Sequence, residues 1–343
     1  MRRHVVGVAD RFSWVPFVAI LLGYVVQQVQ LHHADFGRWD FLMLSGWATL
    51  AVGLALAQTI PRRLHRMLHR LRDRGSMDAT DERLAELTAI LSRRGHVWGL
   101  AGATVVAVGV VVAFLAAGRA DLGDRLLWLE VFGGLVAGYQ LGRAASYGSL
   151  GSVLKSESCA VQVTPGHFDG AAGLKPVGDY YFFQAMVAGI PAAFLAVWWL
   201  VIPLVPRDYE GWRNPYLGLL VLAIAVELLC FFVPVLYFHR EMERQKEEYQ
   251  READKLSSEM ADLDGALASA VDPDVVKATK ARVAEAKERY ELIDGMPTWP
   301  MDSGTRRRLR VRNLALLLPV AAKIVGTSGP WKEIADALSR IGS

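Results

Sequence analysis

The sequence predicts an all-α, polytopic membrane protein with six transmembrane helices and a cytoplasmic helical hairpin. Three observations lead there. Six long apolar runs recur along the 343-residue chain, and arginine gathers in the connections on one side of them. The sixth run then passes without a break into a charged helix with a seven-residue apolar repeat. Hydrophobic residues make up 52% of the chain, and mean hydropathy is +0.23. A soluble helical protein buries one or two such runs, not six.

A helix crossing the ~30 Å hydrocarbon core needs roughly 20 apolar residues. The runs are Trp14–Val29, Phe41–Ile60, Val97–Ala117, Leu126–Leu141, Tyr181–Val205 and Tyr216–Phe238. The third and sixth are the clearest. Gln27, Gln28 and Gln30 thin the end of the first, and Glu130 interrupts the fourth. Paired in order, they predict transmembrane hairpins over 1–60, 97–142 and 181–238. Basic residues orient them. Nine arginines fall in 61–96, whereas the 30–40 connection holds only Arg38. Both termini are therefore expected in the cytoplasm, and the lipid partner is a membrane whose inner leaflet carries anionic headgroups. No small-residue cleavage site follows the first run, so it does not read as a signal peptide. Cys159 and Cys230 fall in the cytoplasm and in a span, so no disulfide is expected.

In the 61–96 connection, Leu64, Met67, Leu68 and Leu71 follow helical spacing with arginines around them. This predicts a helix lying on the inner headgroups. His65 and His69, four apart, suit either a two-point metal chelate or two solvated imidazoles. Asp78 or Thr80 caps a second helix bearing Leu84, Leu87 and Leu91.

The 143–180 loop is glycine-rich and carries an alternating stretch, 159–163, with the pattern of a short strand. Next comes Gly166-His167-Phe168-Asp169-Gly170-Ala171-Ala172-Gly173-Leu174-Lys175-Pro176-Val177-Gly178. It resembles an HPDGxGGLxPxG segment that precedes a span in uncharacterised bacterial multi-pass proteins, with Phe168 in place of the proline. Pro297-Thr298-Trp299-Pro300-Met301-Asp302 resembles a PTWPxD segment of the same group. The resemblance covers about a tenth of the chain. It implies a bacterial membrane protein and no particular activity.

Residues 239–295 continue the sixth span as a coiled-coil-like hairpin. Met242, Tyr249, Leu256 and Leu263 repeat every seven residues, with Lys246, Ala253, Met260 and Leu267 between. Asp272-Pro273 starts a second helix with Val276, Thr279, Val283, Ala286, Tyr290 and Ile293 on one stripe, closed by Gly295. The hairpin can bury its stripes within one subunit or between subunits. The last segment, 296–343, opens with five arginines among 306–312 and an apolar stretch, Leu314–Ala322. Too short to cross, it is expected at the interface, re-entrant, or packed on the hairpin. The neighbouring apolar sequence favours headgroups over nucleic acid as its partner. A final helix from Pro330 is expected to dock on protein.

Few residues suggest chemistry. Glu227 sits near the middle of the sixth span, about 15 Å from either end. Intramembrane carboxylates mark ion paths or satisfied buried acids. For the second case Tyr, Gln or backbone partners are expected. Glu130, Gly134, Gly138 and Gly142 recur every four residues in the fourth run, a stripe suited to close helix packing or to lining a pore. Gly99, Ala103 and Ala107 offer the third run as partner. Arg143 extends the stripe towards the headgroups. His167 and Asp169 form a pair suited to metal or acid–base work, or to fixing a turn. Pro191, Pro203 and Pro234 predict kinks. No phosphate-binding loop, HExxH, GxSxG or paired-cysteine motif is present, so an enzyme is not expected and no cofactor is implied. The expectation is a homo-oligomeric channel or transporter-like assembly. The alternative is a membrane-anchored signalling, effector or scaffold protein acting through its cytoplasmic helices.

Overall fold

A computed structural model describes residues 15–32, 41–116, 125–201, 210–269 and 272–321. Among these the chain is helical throughout, without strands. The helices are α1 (Val15–His32), α2 (Phe41–Ala57), α3 (Ile60–Asp73), α4 (Asp81–Ala116), α5 (Arg125–Gly148), α6 (Leu150–Ser156), α7 (Lys175–Ala188), α8 (Ile190–Val201), α9 (Glu210–Ser269), α10 (Pro273–Asp294) and α11 (Ser303–Leu316). The 159–163 stretch forms a single antiparallel bridge, Met77 to Val161, rather than a strand. No third segment lies alongside to extend a ladder.

Three helical stretches are long and apolar enough to cross a membrane: Leu44–Asp73, Asp81–Val112 and Leu217–Ala268. The pair α7–α8, bent by 44°, makes a fourth if counted as one broken span. Among the described residues six clear spans are not seen: α1 has only Phe17–Val26 as an apolar core, and α5 is not among the qualifying stretches. The apolar windows of the three stretches are 17%, 22% and 33% buried within the protein. Val97, Leu100, Val105, Val108 and Val112 on α4 are more than half exposed. Apolar surface of that extent needs lipid or another subunit to cover it.

The dense core lies to one end of these runs. It joins Leu64, Leu68 and Leu71 of α3, Leu84, Leu87 and Leu91 of α4, Leu150 and Leu154 of α6, Tyr181 of α7, and Phe231, Phe238 and Met242 of α9. The apolar face of α3 thus packs on protein, which corrects the expectation that it lies on headgroups. Its arginines face outward instead. Helix α4 fuses the predicted cytoplasmic helix and third span into one rod about 54 Å long at 1.5 Å per residue. Helix α9 likewise runs unbroken through Pro234 and on into the hairpin. Asp272 caps α10 by accepting a hydrogen bond from the Asp274 amide (3.0 Å). Ion pairs Arg282–Glu259 (2.7 Å) and Arg289–Glu252 tie α10 antiparallel to α9.

The glycine stripe of α5 lies against α4. A Cβ on Gly138 would overlap the Gly102 carbonyl, and one on Gly142 the Trp98 carbonyl. The backbones touch because neither position carries a side chain. Gly134 meets Val106 and Val110. Within one chain this face is filled by a neighbouring helix and lines no open path. The helical turn of Glu130 is described, but its side chain lies outside the described residues, as do Pro203 and the helix expected from Pro330.

Candidate functional site

Along α9 the residues Leu220, Ile224, Glu227, Phe231, Val235, Phe238 and Met242 are spaced by threes and fours, and all are buried. Glu227 is the one charged member of that stripe, with a side chain fully shielded from solvent. It meets the break between α7 and α8. Pro191 has no amide to continue the α7 ladder, so the helix ends at Ala188 and Gly189 bonds back to Ala185 (2.8 Å). A Cβ at Gly189 would overlap the Glu227 carboxylate and the Arg312 guanidinium.

Arg312 supplies the opposing charge. Its Nη1 lies 3.1 Å from Glu227 Oε1, and its Nη2 donates to the Met186 carbonyl at 3.3 Å. The carboxylate contact is charge on charge rather than an aligned hydrogen bond, since both Glu227 oxygens and Nη1 fall outside hydrogen-bonding directions. An isolated charge in such a place would cost several kcal/mol. The expected Tyr, Gln or backbone partner for Glu227 is thus replaced by an arginine 85 residues further on.

How Arg312 arrives there follows from the ends of α11. Asp302 caps the helix, accepting from the Thr305 amide at 2.8 Å, and its other oxygen holds Lys175 Nζ at 2.7 Å. Thr305, Leu309, Arg312 and Leu316 then share one inward face. Leu316 is buried in an apolar cluster with Ala192, Leu195, Leu220 and Ile224, and Val320 packs on it. The described part of the C-terminal segment therefore packs on α7 and α8 and, at Leu316, on α9. Its remaining arginines sit off this face. The sequence did contain the signal: Arg312 falls in helical register with Leu309 and Leu316, whereas reading the five arginines as one basic run hid it.

The two segments that carry the family resemblance meet at the base of α11. Besides Lys175–Asp302, Gly178 packs against the Pro300 carbonyl and Met301. Trp299 stacks on His239 of α9, ring centres 4.1 Å apart, and His239 Nδ1 donates to the Thr298 carbonyl at 2.7 Å. An open cleft of about 410 Å³ borders this junction, lined by Arg70, Arg74, Phe168, Lys175 and Asp179 among others.

Asp169 organises the glycine-rich loop. Its Oδ1 accepts from the amides of Ala171 (2.9 Å) and Gly173 (3.0 Å). Its Oδ2 accepts from Arg74 (2.9 Å) and the Lys175 amide (3.3 Å). Burial pushes its carboxyl up, but these amides and the adjacent His167 outweigh it, so the pKa falls below the usual value. His167 Nδ1 is 3.0 Å from Oδ1 and its ring stacks on Phe168. Both oxygens are thus engaged in closing a turn in which Gly166, Gly170 and Gly173 have positive φ. Among the described residues no three His, Cys, Asp or Glu side chains are grouped to hold a metal. His65 and His69 remain a pair, Nε2 atoms 3.1 Å apart. Arg143 packs beside Tyr139 and Tyr147, donating to the Tyr147 hydroxyl at 3.2 Å.

No protein-family description, curated protein or solved structure matches this chain.

Proposed function

We propose that this is a multi-pass inner-membrane protein of the channel or transporter class, with Glu227 on the conduction path. The supporting observation is a fully buried carboxylate opposite an arginine at a helix break. Broken helices beside midplane charges are the usual construction of secondary-transporter sites. On this reading the six apolar runs are spans, the third and fourth being α4 and α5 packed backbone to backbone. The basic connections face the cytoplasm. The exposed apolar belt on α4 is covered by lipid and by further copies of the chain in a homo-oligomer. Both termini lie on the cytoplasmic side.

Purified protein in liposomes tests this reading. Wild type is expected to carry ion flux above protein-free vesicles, and Glu227→Gln to change its size or pH dependence with assembly intact. Flux that ignores Glu227, or no flux at all, removes the proposal.

A second reading, a membrane-anchored signalling or scaffold protein, rests on the long charged hairpin that α9 and α10 extend beyond the core. Deleting everything after 238 does not separate the two, since that also removes Arg312. Replacing 260–281 with a glycine linker does. A transport protein keeps its flux in that variant, whereas a scaffold loses its partner binding.

A further inference from the structure

We infer that the Glu227 carboxylate and the Met186 carbonyl form a binding site for a small monovalent cation, plugged in this conformation by the Arg312 guanidinium. The inference rests on the transport reading and specifies its ligand class and its gate. Four observations carry it.

The first is the donor set. A carboxylate and a main-chain carbonyl at the end of a broken helix are hard oxygen ligands of the kind that hold alkali cations in transporters. Met186 lies in the last turn of α7, where carbonyls lack helical partners. Its oxygen receives only the long 3.3 Å contact from Arg312 in the hydrogen bonds of this site. The second is unsatisfied polarity. Glu227 is wholly buried, yet both its oxygens lack an aligned donor, and Arg312 Nη1 lacks an aligned acceptor. A guanidinium that fitted this place as a permanent partner would form the parallel two-bond fork that arginine makes with carboxylates. This one does not.

The third observation is charge. One carboxylate neutralises one positive charge, and among the described residues no second acid pairs with Arg312. A divalent ion would bring an uncompensated charge into a low-dielectric site, which is strongly unfavourable. An anion would face Glu227 directly. The fourth is connectivity. Arg312 belongs to α11, a helix tied to the cytoplasmic end by Lys175–Asp302 and continuous through 296–302 with the α9–α10 hairpin. Its side chain is 22% exposed, against 0% for Glu227. The cation that fills the site is thus carried by a helix seated through Thr305, Leu309 and Leu316, and displacing α11 against those contacts would clear it. Withdrawing α11 would leave Glu227, Met186 and the space kept by Gly189 open to an ion from solution.

The test uses the full chain in liposomes with sodium or potassium as the only permeant cation and choline as control. Arg312→Gln is expected to raise flux about tenfold, the factor by which removing a competitor enlarges the open fraction. The double variant Glu227→Gln/Arg312→Gln should fall back to wild type or below, and Arg312→Lys should stay closed. Equal flux in wild type and Arg312→Gln overturns the plug, as does a rise that persists in the double variant. If wild type carries Glu227-dependent flux that Arg312→Gln leaves alone, the plug fails and the transport reading survives. If every variant matches empty vesicles, both fail. Tryptic cleavage of the wild type covers the case of a variant that does not fold. Sodium or potassium, but not choline or calcium, should speed cutting at Arg306–Arg310, and a flat profile across all four ions overturns the plug.

Discussion

Lys175 Nζ lies 2.7 Å from Asp302 Oδ2, joining residues 127 positions apart in the chain. The contact closes a circuit. Lys175 opens α7, Asp302 caps α11, and further along α11 Arg312 reaches Glu227 of α9 and the Met186 carbonyl near the end of α7. Each end of α11 is therefore fixed by a charge that it does not itself contain.

Asp302→Ala should destabilise the protein more than Lys175→Met does. Asp302 provides both a helix cap and a charged partner, together worth about 2–3 kcal/mol. Lys175→Met removes only the partly exposed ion pair, for which about 1 kcal/mol is the expected scale. Thermal unfolding in detergent would rank the two, and an equal or reversed order would show that the cap does not hold α11.

The same carboxylate sets a pH dependence. The Lys175 ammonium, then the Thr305 amide and hydroxyl, hold the Asp302 carboxyl well below the usual carboxylate range. Asp169 is depressed as well. A depressed folded-state pKa stabilises the protein above the unfolded value of about 3.9, and that contribution is lost as pH falls through the folded value. Melting temperature should accordingly stay level from neutral pH to about 5 and drop below about 4. Asp302→Asn should flatten the drop. An unchanged acid limb in Asp302→Asn would remove this residue as its cause.

Gly189→Ala should separate Glu227 from Arg312, because the added methyl would occupy the space that both side chains use. Breaking a buried ion pair costs about 3–5 kcal/mol. Gly133 and Gly109 have nothing within 4 Å of an added Cβ, so alanine there should be neutral or stabilising by up to ~1 kcal/mol. Comparable melting for all three alanine variants would mean that the helix break tolerates a side chain.

Gly138→Leu should force α4 and α5 apart, since the two backbones touch at Gly102 and Ala103. Overpacking of this kind costs about 1–3 kcal/mol. Loss of monodisperse protein in detergent is the expected readout, and a normal elution profile would argue that the contact yields easily.

Asp169→Ala should loosen the 166–175 turn, stranding the amides of Ala171 and Gly173 at about 1–3 kcal/mol each. A chelator should leave the wild-type melting curve unchanged, because both Asp169 oxygens already accept protein donors. A shift on chelation would restore the metal reading of His167 and Asp169.

Much of this molecule follows from one-dimensional pattern. Apolar run length and three-to-four spacing account for the helices, for the stripe of α10 and for the close approach of α4 and α5 at Gly138 and Gly142. These are local properties, set by what a helix must do with its own side chains. Which face meets which neighbour is not local. The amphipathic spacing of Leu64, Met67, Leu68 and Leu71 suits lipid and protein equally, and the availability of α4 and α7 decided for protein. Likewise a buried carboxylate requires a counter-charge, but spacing cannot say whose. Packing alone chose Arg312, because a cap at Asp302 and an apolar seat for Leu316 fix the rotation of α11, and rotation determines which of five arginines turns inward.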